Sequence, residues 1–131
     1  MNKPRYYLDS YAWIEYFIGS EKGKRVAGLV ENASSEVFVS TITLAEVTGA
    51  SKRENRDAEA TFNSMISLAK LFDITPEVAK EAGLFHAEIR RRIGDFGLAD
   101  AFVVIAARLL GAKVVTGDPH FSKMKNVVFL S

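Results

Sequence analysis

Cysteine is absent from this sequence, which excludes disulfide frameworks, thiolate zinc sites and cysteine nucleophiles at once. The same absence suits a reducing cytosol. Histidine is scarce, and the two present, His86 and His120, do not stand at zinc-ligand spacing. Proline occurs three times, and no linker rich in Pro, Gly and Ser, no repeat and no low-complexity tract divides the chain. Apolar runs stay short of the ~18 residues that mark a membrane span, and the opening MNKPRYYLDS has no apolar signal core. An excess of one charge is missing too: 17 Lys and Arg meet 16 Asp and Glu for a net +1, so bulk electrostatics names no partner. A cytoplasmic location is expected.

What remains is a chain of 131 residues, 48% hydrophobic and 25% charged, the composition of a globular protein able to bury a core without staples. One domain over residues 1–131 is expected. Residues 6–8, 37–39, 71–74, 113–116 and 127–130 have the composition of short strands. Between them the apolar residues recur at helical spacing, first at 13, 14 and 17, then in a helix from 21 to about 32, then at 44, 45 and 47. A longer amphipathic helix is expected over 56–70, with 58, 62, 65, 66 and 69 as its apolar stripe. Thr75 and Pro76 have the chemistry of an N-cap and first helical residue, ahead of an apolar face at 78, 82, 85 and 89. Residues 98–110 are apolar almost all round apart from Asp100 and Arg108, as in a buried helix. The alternation predicts an α/β fold, a three-layer sandwich whose mainly parallel central sheet is covered on both faces. Ligands of such sheets bind beyond the carboxyl ends of the strands.

Acids stand at those ends. Asp9 closes the first strand, Glu46 lies in the helix after the second, Asp100 opens the late apolar helix, and Asp118 follows the next strand in VVTGDPHF. Each has a purely structural reading. Asp9 can cap a helix, Glu46 can complete a capping box with Thr43, Asp100 can offset a helix dipole, and Asp118 can shape a Gly-Asp-Pro turn. Together they say more, because four carboxylates at one sheet edge repel by roughly a kcal/mol or more per close pair at an effective dielectric near 20. A cation between them relieves this. Oxygen ligands without cysteine suit Mg²⁺ or Mn²⁺, ions that activate water and neutralise charge in phosphodiester chemistry, with one or two ions both open. The residue types alone therefore suggest a nuclease.

The stretches YYLDSYAWIEYF, VFVSTITLAEV and GLADAFVVIAARLLGAKVVTGDPHF resemble, in order and spacing, the successive motifs of PIN-domain ribonucleases. They are most similar to the VapC-type toxins of bacterial and archaeal toxin–antitoxin pairs. The resemblance covers nearly the whole chain and implies a metal-dependent endoribonuclease acting on RNA, with Asp9, Glu46, Asp100 and Asp118 as the Mg²⁺ or Mn²⁺ ligands. It matches Thr116 to a hydroxyl that holds a carboxylate or a water at the cation. It also implies a small antitoxin protein as partner, and a homodimer, for which the aromatic residues Trp13, Tyr16 and Phe17 offer a region if they are not simply core.

Other residues are ambiguous. Asp95 is close enough in sequence to join the pocket, although a cap before the helix at 98 is its simpler role. Arg90, Arg91 and Arg92 are able to grip phosphates or merely to end a helix in solvent. His120 is placed to approach substrate, whereas His86 has a packing position. A phosphorylated receiver module would want an adjacent acid pair after the first strand, and a haloacid-type phosphatase an Asp-x-Asp; Asp9 is followed by Ser10 and Tyr11. The stronger alternative keeps the fold and changes the role, to a PIN nuclease of RNA processing or quality control without an antitoxin.

Overall fold

In the computed structural model, which describes residues 3–131, strands and helices alternate along the chain. They are β1 (Arg5–Leu8), α1 (Ser10–Ile18), α2 (Glu21–Val30), β2 (Glu36–Ser40), α3 (Thr41–Arg53), α4 (Ala58–Leu68), β3 (Lys70–Phe72), α5 (Pro76–Ile89), α6 (Leu98–Leu110), β4 (Lys113–Thr116) and β5 (Val127–Phe129), with one 3-10 turn at Pro119–Phe121. The strands form one sheet in the order β3-β2-β1-β4-β5, and every pairing is parallel. Side chains alternate across it. Tyr7, Phe38 and Val114 pack beneath α5 and α6, whereas Leu8, Val37, Val39 and Val115 pack against residues of α1 to α4 such as Trp13, Val26, Leu44 and Met65. The expected three-layer α/β sandwich is thus observed, with a sheet that is wholly rather than mainly parallel.

From β1 the chain moves outward through β2 to β3, then returns to the other side of β1 for β4 and β5. The reversal makes the carboxyl ends of β1 and β4 the switch point of the sheet, where the crevice that receives ligands lies in folds of this kind. Local chemistry fixes the elements around it. Thr75 caps α5 by accepting from the Val78 N–H at 3.2 Å, with Pro76 at the first helical position as expected. Gly111 ends α6 in the left-handed region, at φ 62°.

Four expectations need correction. The helix predicted over 56–70 is shorter, because Asp57 caps it and the following strand begins at Lys70. Its inward side is also different: Thr61 and Met65 are buried, while Phe62 and Ile66 are exposed. A polar residue takes the core position because Thr61 Oγ1 is satisfied by Ser51 Oγ of α3 at 3.0 Å. Helix α2 stops at Val30 rather than near 32, and β3 ends at Phe72 rather than 74. The outer strands β3 and β5 have three residues each, and Arg25 of α2 reaches the carbonyls of Phe129 and Ser131 beside β5.

Helices α1 and α2 approach so closely that a Cβ built on Gly23 falls 1.9 Å from the carbonyl oxygen of Glu15. On Gly28 of the same helix it meets nothing within 4 Å. Gly23→Ala should therefore destabilise the protein by about 3 kcal/mol through forced separation of the two helices. Gly28→Ala should be neutral or stabilise by about 0.5 kcal/mol. Urea unfolding of the two variants checks the contrast, and equal midpoints would refute the close packing.

Candidate metal centre

Asp9 follows β1 directly and is 3% exposed, the most buried of the acids at the crevice. Its two oxygens are both engaged. Oδ1 accepts from the Ala12 N–H at 3.0 Å, capping α1, and Oδ2 accepts from Thr116 Oγ1 at 2.5 Å. Thr116, the last residue of β4, also accepts from the Asp118 N–H at 3.0 Å, so one hydroxyl ties the ends of two adjacent strands together. Asp118 Oδ1 in turn accepts from the His120 N–H at 2.9 Å. The structural roles considered for Asp9 and Asp118 are thus real, and they hold both side chains in the crevice.

Asp100, Asp118 and His120 each offer a ligand atom, and these atoms lie within 4.8 Å of one another. Asp9 and Glu46 stand outside that tightest group, but the charges feel each other. Burial pushes Asp9 up to about 7, against the donors Thr116 and Ala12 that favour its charged form, with Asp100 and Asp118 adding to the rise. Glu46 is raised by burial and by Asp100, and Asp100 by burial and by Asp118. Carboxylates held in their charged form only at a cost, with oxygen donors facing one crevice, fit a hard divalent cation.

Two alternative readings of these acids fail. The capping box is not formed: the N-cap of α3 is Ser40, and Thr43 Oγ1 lies 3.0 Å from the buried Tyr7 hydroxyl instead. Glu46 is left free for the crevice. Asp95 does not cap α6, whose N-cap is Gly97; its Oδ1 lies 3.0 Å from His120 Nε2. His120 is therefore the residue that sequence reasoning underrated. Its Nδ1 stands 2.8 Å from Asp118 Oδ1 without the alignment of a hydrogen bond, an electrostatic contact. Chiefly through Asp95, its pKa is raised. The signal available was its place two residues after Asp118, but the partner Asp95 lies 25 positions earlier and only folding joins them. Trp13 is fully buried, with the Phe17 ring stacked at 6.0 Å and Tyr16 edge-on at 6.1 Å, so this trio is foremost core.

The structure is that of a doubly wound parallel α/β protein with carboxylates gathered at its switch point. The PIN domain family profile matches residues 6–127, and the chain belongs to that family. No curated protein matches it in sequence. Among solved structures it is similar to a toxin–antitoxin complex from Klebsiella pneumoniae (20% identity, 95% of this chain and 97% of that chain, TM-score 0.74). It is similar also to a DNA-bound VapBC from Salmonella typhimurium (24%, 96% and 96%, 0.71) and to the sarcin–ricin loop cleaving toxin VapC20 of Mycobacterium tuberculosis (16%, 93% and 96%, 0.74).

Raised carboxylates make a pH prediction. Asp9, Glu46 and Asp100 bind protons more readily folded than unfolded, so their contribution to stability is complete below the usual carboxylate range and is lost as pH rises, for Asp9 through about 7. Raised His120 acts in the same direction, while Glu36, held low chiefly by Lys70, acts oppositely only in acid. In chelator the melting temperature should fall from pH 5 to pH 8, and Asp9→Asn should flatten that slope. A wild-type melting temperature that rises over this interval would contradict the described electrostatics.

Proposed function

We propose that the chain is a metal-dependent endoribonuclease that hydrolyses RNA phosphodiester bonds, acting in the cytoplasm as the toxin of a type II toxin–antitoxin pair. The observation that carries this reading is the convergence of Asp100, Asp118 and His120 at the switch-point crevice where Asp9 and Thr116 are locked together. Membership of the PIN family supports it, as does likeness to a protein described as a sarcin–ricin loop cleaving toxin, to a toxin–antitoxin complex and to a VapBC assembly.

Asp9, Glu46, Asp100 and Asp118 would hold Mg²⁺ or Mn²⁺. Such an ion, when bound, lowers the pKa of water and offsets charge on a phosphodiester undergoing in-line displacement. The protein's own part is placement. Thr116 keeps Asp9 and Asp118 in register by donating to one side chain and accepting from the other's backbone. His120, whose charged form Asp95 and Asp118 favour, would offer a proton at the edge of the acid cluster. For the antitoxin, clustered carboxylates suit a basic side chain entering the crevice. A groove elsewhere on the chain, lined by Ile14, Phe17, Ile18, Val47 and Ala50 together with Glu54 and Arg56, would suit an apolar segment of the same partner.

Incubation with a pool of structured RNAs should give cleavage that chelator abolishes and Mg²⁺ or Mn²⁺ restores. Cleavage surviving full removal of divalent metal sinks the mechanism. Asp100→Asn separates a metal cluster from a helix-start role, since Gly97 rather than Asp100 is the N-cap of α6. Without metal the variant should melt higher than wild type, because one of several repelling charges is gone. With metal, wild type should gain stability by mass action and the variant little, and RNA cleavage should drop by about 100-fold or more. A variant that melts lower, keeps the metal-induced shift and still cuts RNA refutes the shared site.

A homodimer is part of the same proposal. Its support is family resemblance together with exposed leucines on α5 and α6, Leu84, Leu98 and Leu109, at 58%, 50% and 60% exposure. Light scattering at micromolar concentration should give twice 14.5 kDa, and Leu109→Glu should return the monomer mass. A wild-type monomer throughout that range counts against it.

A further inference from the structure

Five of the chain's 17 Lys and Arg residues line one cleft, and none of its 16 Asp and Glu residues does. Arg92 follows α5, Arg108 belongs to α6, Lys113 opens β4, and Lys123 and Lys125 lie between the 3-10 turn and β5. In a chain of net charge +1 this segregation is not background. All five are exposed, and none takes part in an ion pair among the described residues. Between them the cleft floor is apolar, contributed by residues such as Ile89, Val104 and Val114. The Arg108 guanidinium lies over the Phe85 ring at 4.8 Å, a stack that leaves its N–H edge free for an anion.

One residue belongs to both this cleft and the acid cluster. His120 lines the cleft and shares the ligand group with Asp100 and Asp118. The basic cleft therefore borders the acid cluster at His120 and extends to Lys113 at the amino end of β4, on the order of 13 Å for four strand residues. We propose that this cleft is the path along which a single-stranded segment of RNA leaves the acid cluster, its phosphates on the five cations and its bases toward the apolar floor. The inference rests on the nuclease reading of the acid cluster. A duplex is too broad for cations that surround a concavity, whereas one extended backbone suits them. A second copy of the chain in symmetric contact would face five cations with five. An acidic protein segment would neutralise the cations but has no bases to lay on the apolar floor.

The test uses the full chain in chelator, so that nothing is cut, with a fluorescent oligouridylate as probe. Lys123→Glu with Lys125→Glu should weaken binding about tenfold or more at roughly 0.1 M salt and make the salt dependence shallower by about 1.4 in log–log slope, two single-strand phosphate contacts. Lys52→Glu with Lys80→Glu gives the same net charge away from the cleft and should change affinity by less than about twofold. Equal losses in the two pairs, no loss in either, or no binding by wild type overturn the proposal. Displacement of the probe by oligoglutamate as readily as by unlabelled oligouridylate overturns it in favour of an acidic protein segment. Metal-dependent cleavage with an unchanged KM in the cleft pair sinks the cleft and leaves the nuclease. Cleft-dependent binding with no cleavage of any RNA in Mg²⁺ or Mn²⁺ leaves the cleft as an RNA surface and sinks the nuclease.

Discussion

The hydrogen bond from Thr116 to Asp9 joins the ends of two parallel strands that are 107 residues apart in sequence, and the crevice takes its shape from that bond. Asp9 lies at the point where the sheet changes its direction of winding, too deep for solvent to stabilise its charge. Two donors offset part of that burial, and the neighbouring acids oppose them. The same threonine oxygen accepts from the Asp118 N–H, which turns the chain so that Asp118 meets Asp100 and His120. Loss of that hydroxyl would remove one donor from a buried carboxylate and one acceptor from the turn, two faults from a single atom.

This arrangement sets stability against chemistry. An apolar crevice floor would pack better than carboxylates raised by burial and mutual repulsion. The unfavourable charge is concentrated at one end of the sheet, and the remainder of the molecule is conventional: two apolar layers flank the strands, with Trp13, Tyr7 and Phe96 among the fully buried side chains. Charge is segregated a second time around the α5–α6 side, where cations gather without counter-ions. His120 stands at the border between the acidic and basic regions, held by Asp95 on one side and Asp118 on the other.

The sequence made the strand and helix alternation readable because period-2 and period-3.6 apolar patterns are strong in short buried strands and in α6. The acids were readable as strand-end residues for the same reason: Asp9 and Asp118 adjoin runs whose assignment is secure. What escaped was set by pairings across the fold. Thr61 looks like a surface residue until Ser51 and the Asp57 carbonyl satisfy its hydroxyl, and with Thr61 inside, Phe62 and Ile66 face outward. Thr43 looks like half of a capping box until the Tyr7 hydroxyl claims it. The partnership of Asp95 with His120 and the five-cation cleft, assembled from four separate segments, have no local periodicity to betray them.

The brevity of β3 and β5 has a consequence for life at high concentration. A parallel sheet is open at both sides, and each open side is a template on which a stray strand can dock and propagate a fibre. Here the templates are three residues long, Lys70 begins one of them, and Arg25 occupies carbonyls beside the other. The sheet is thereby closed to addition without being closed into a barrel, and a chain nearly half hydrophobic keeps its strands to itself.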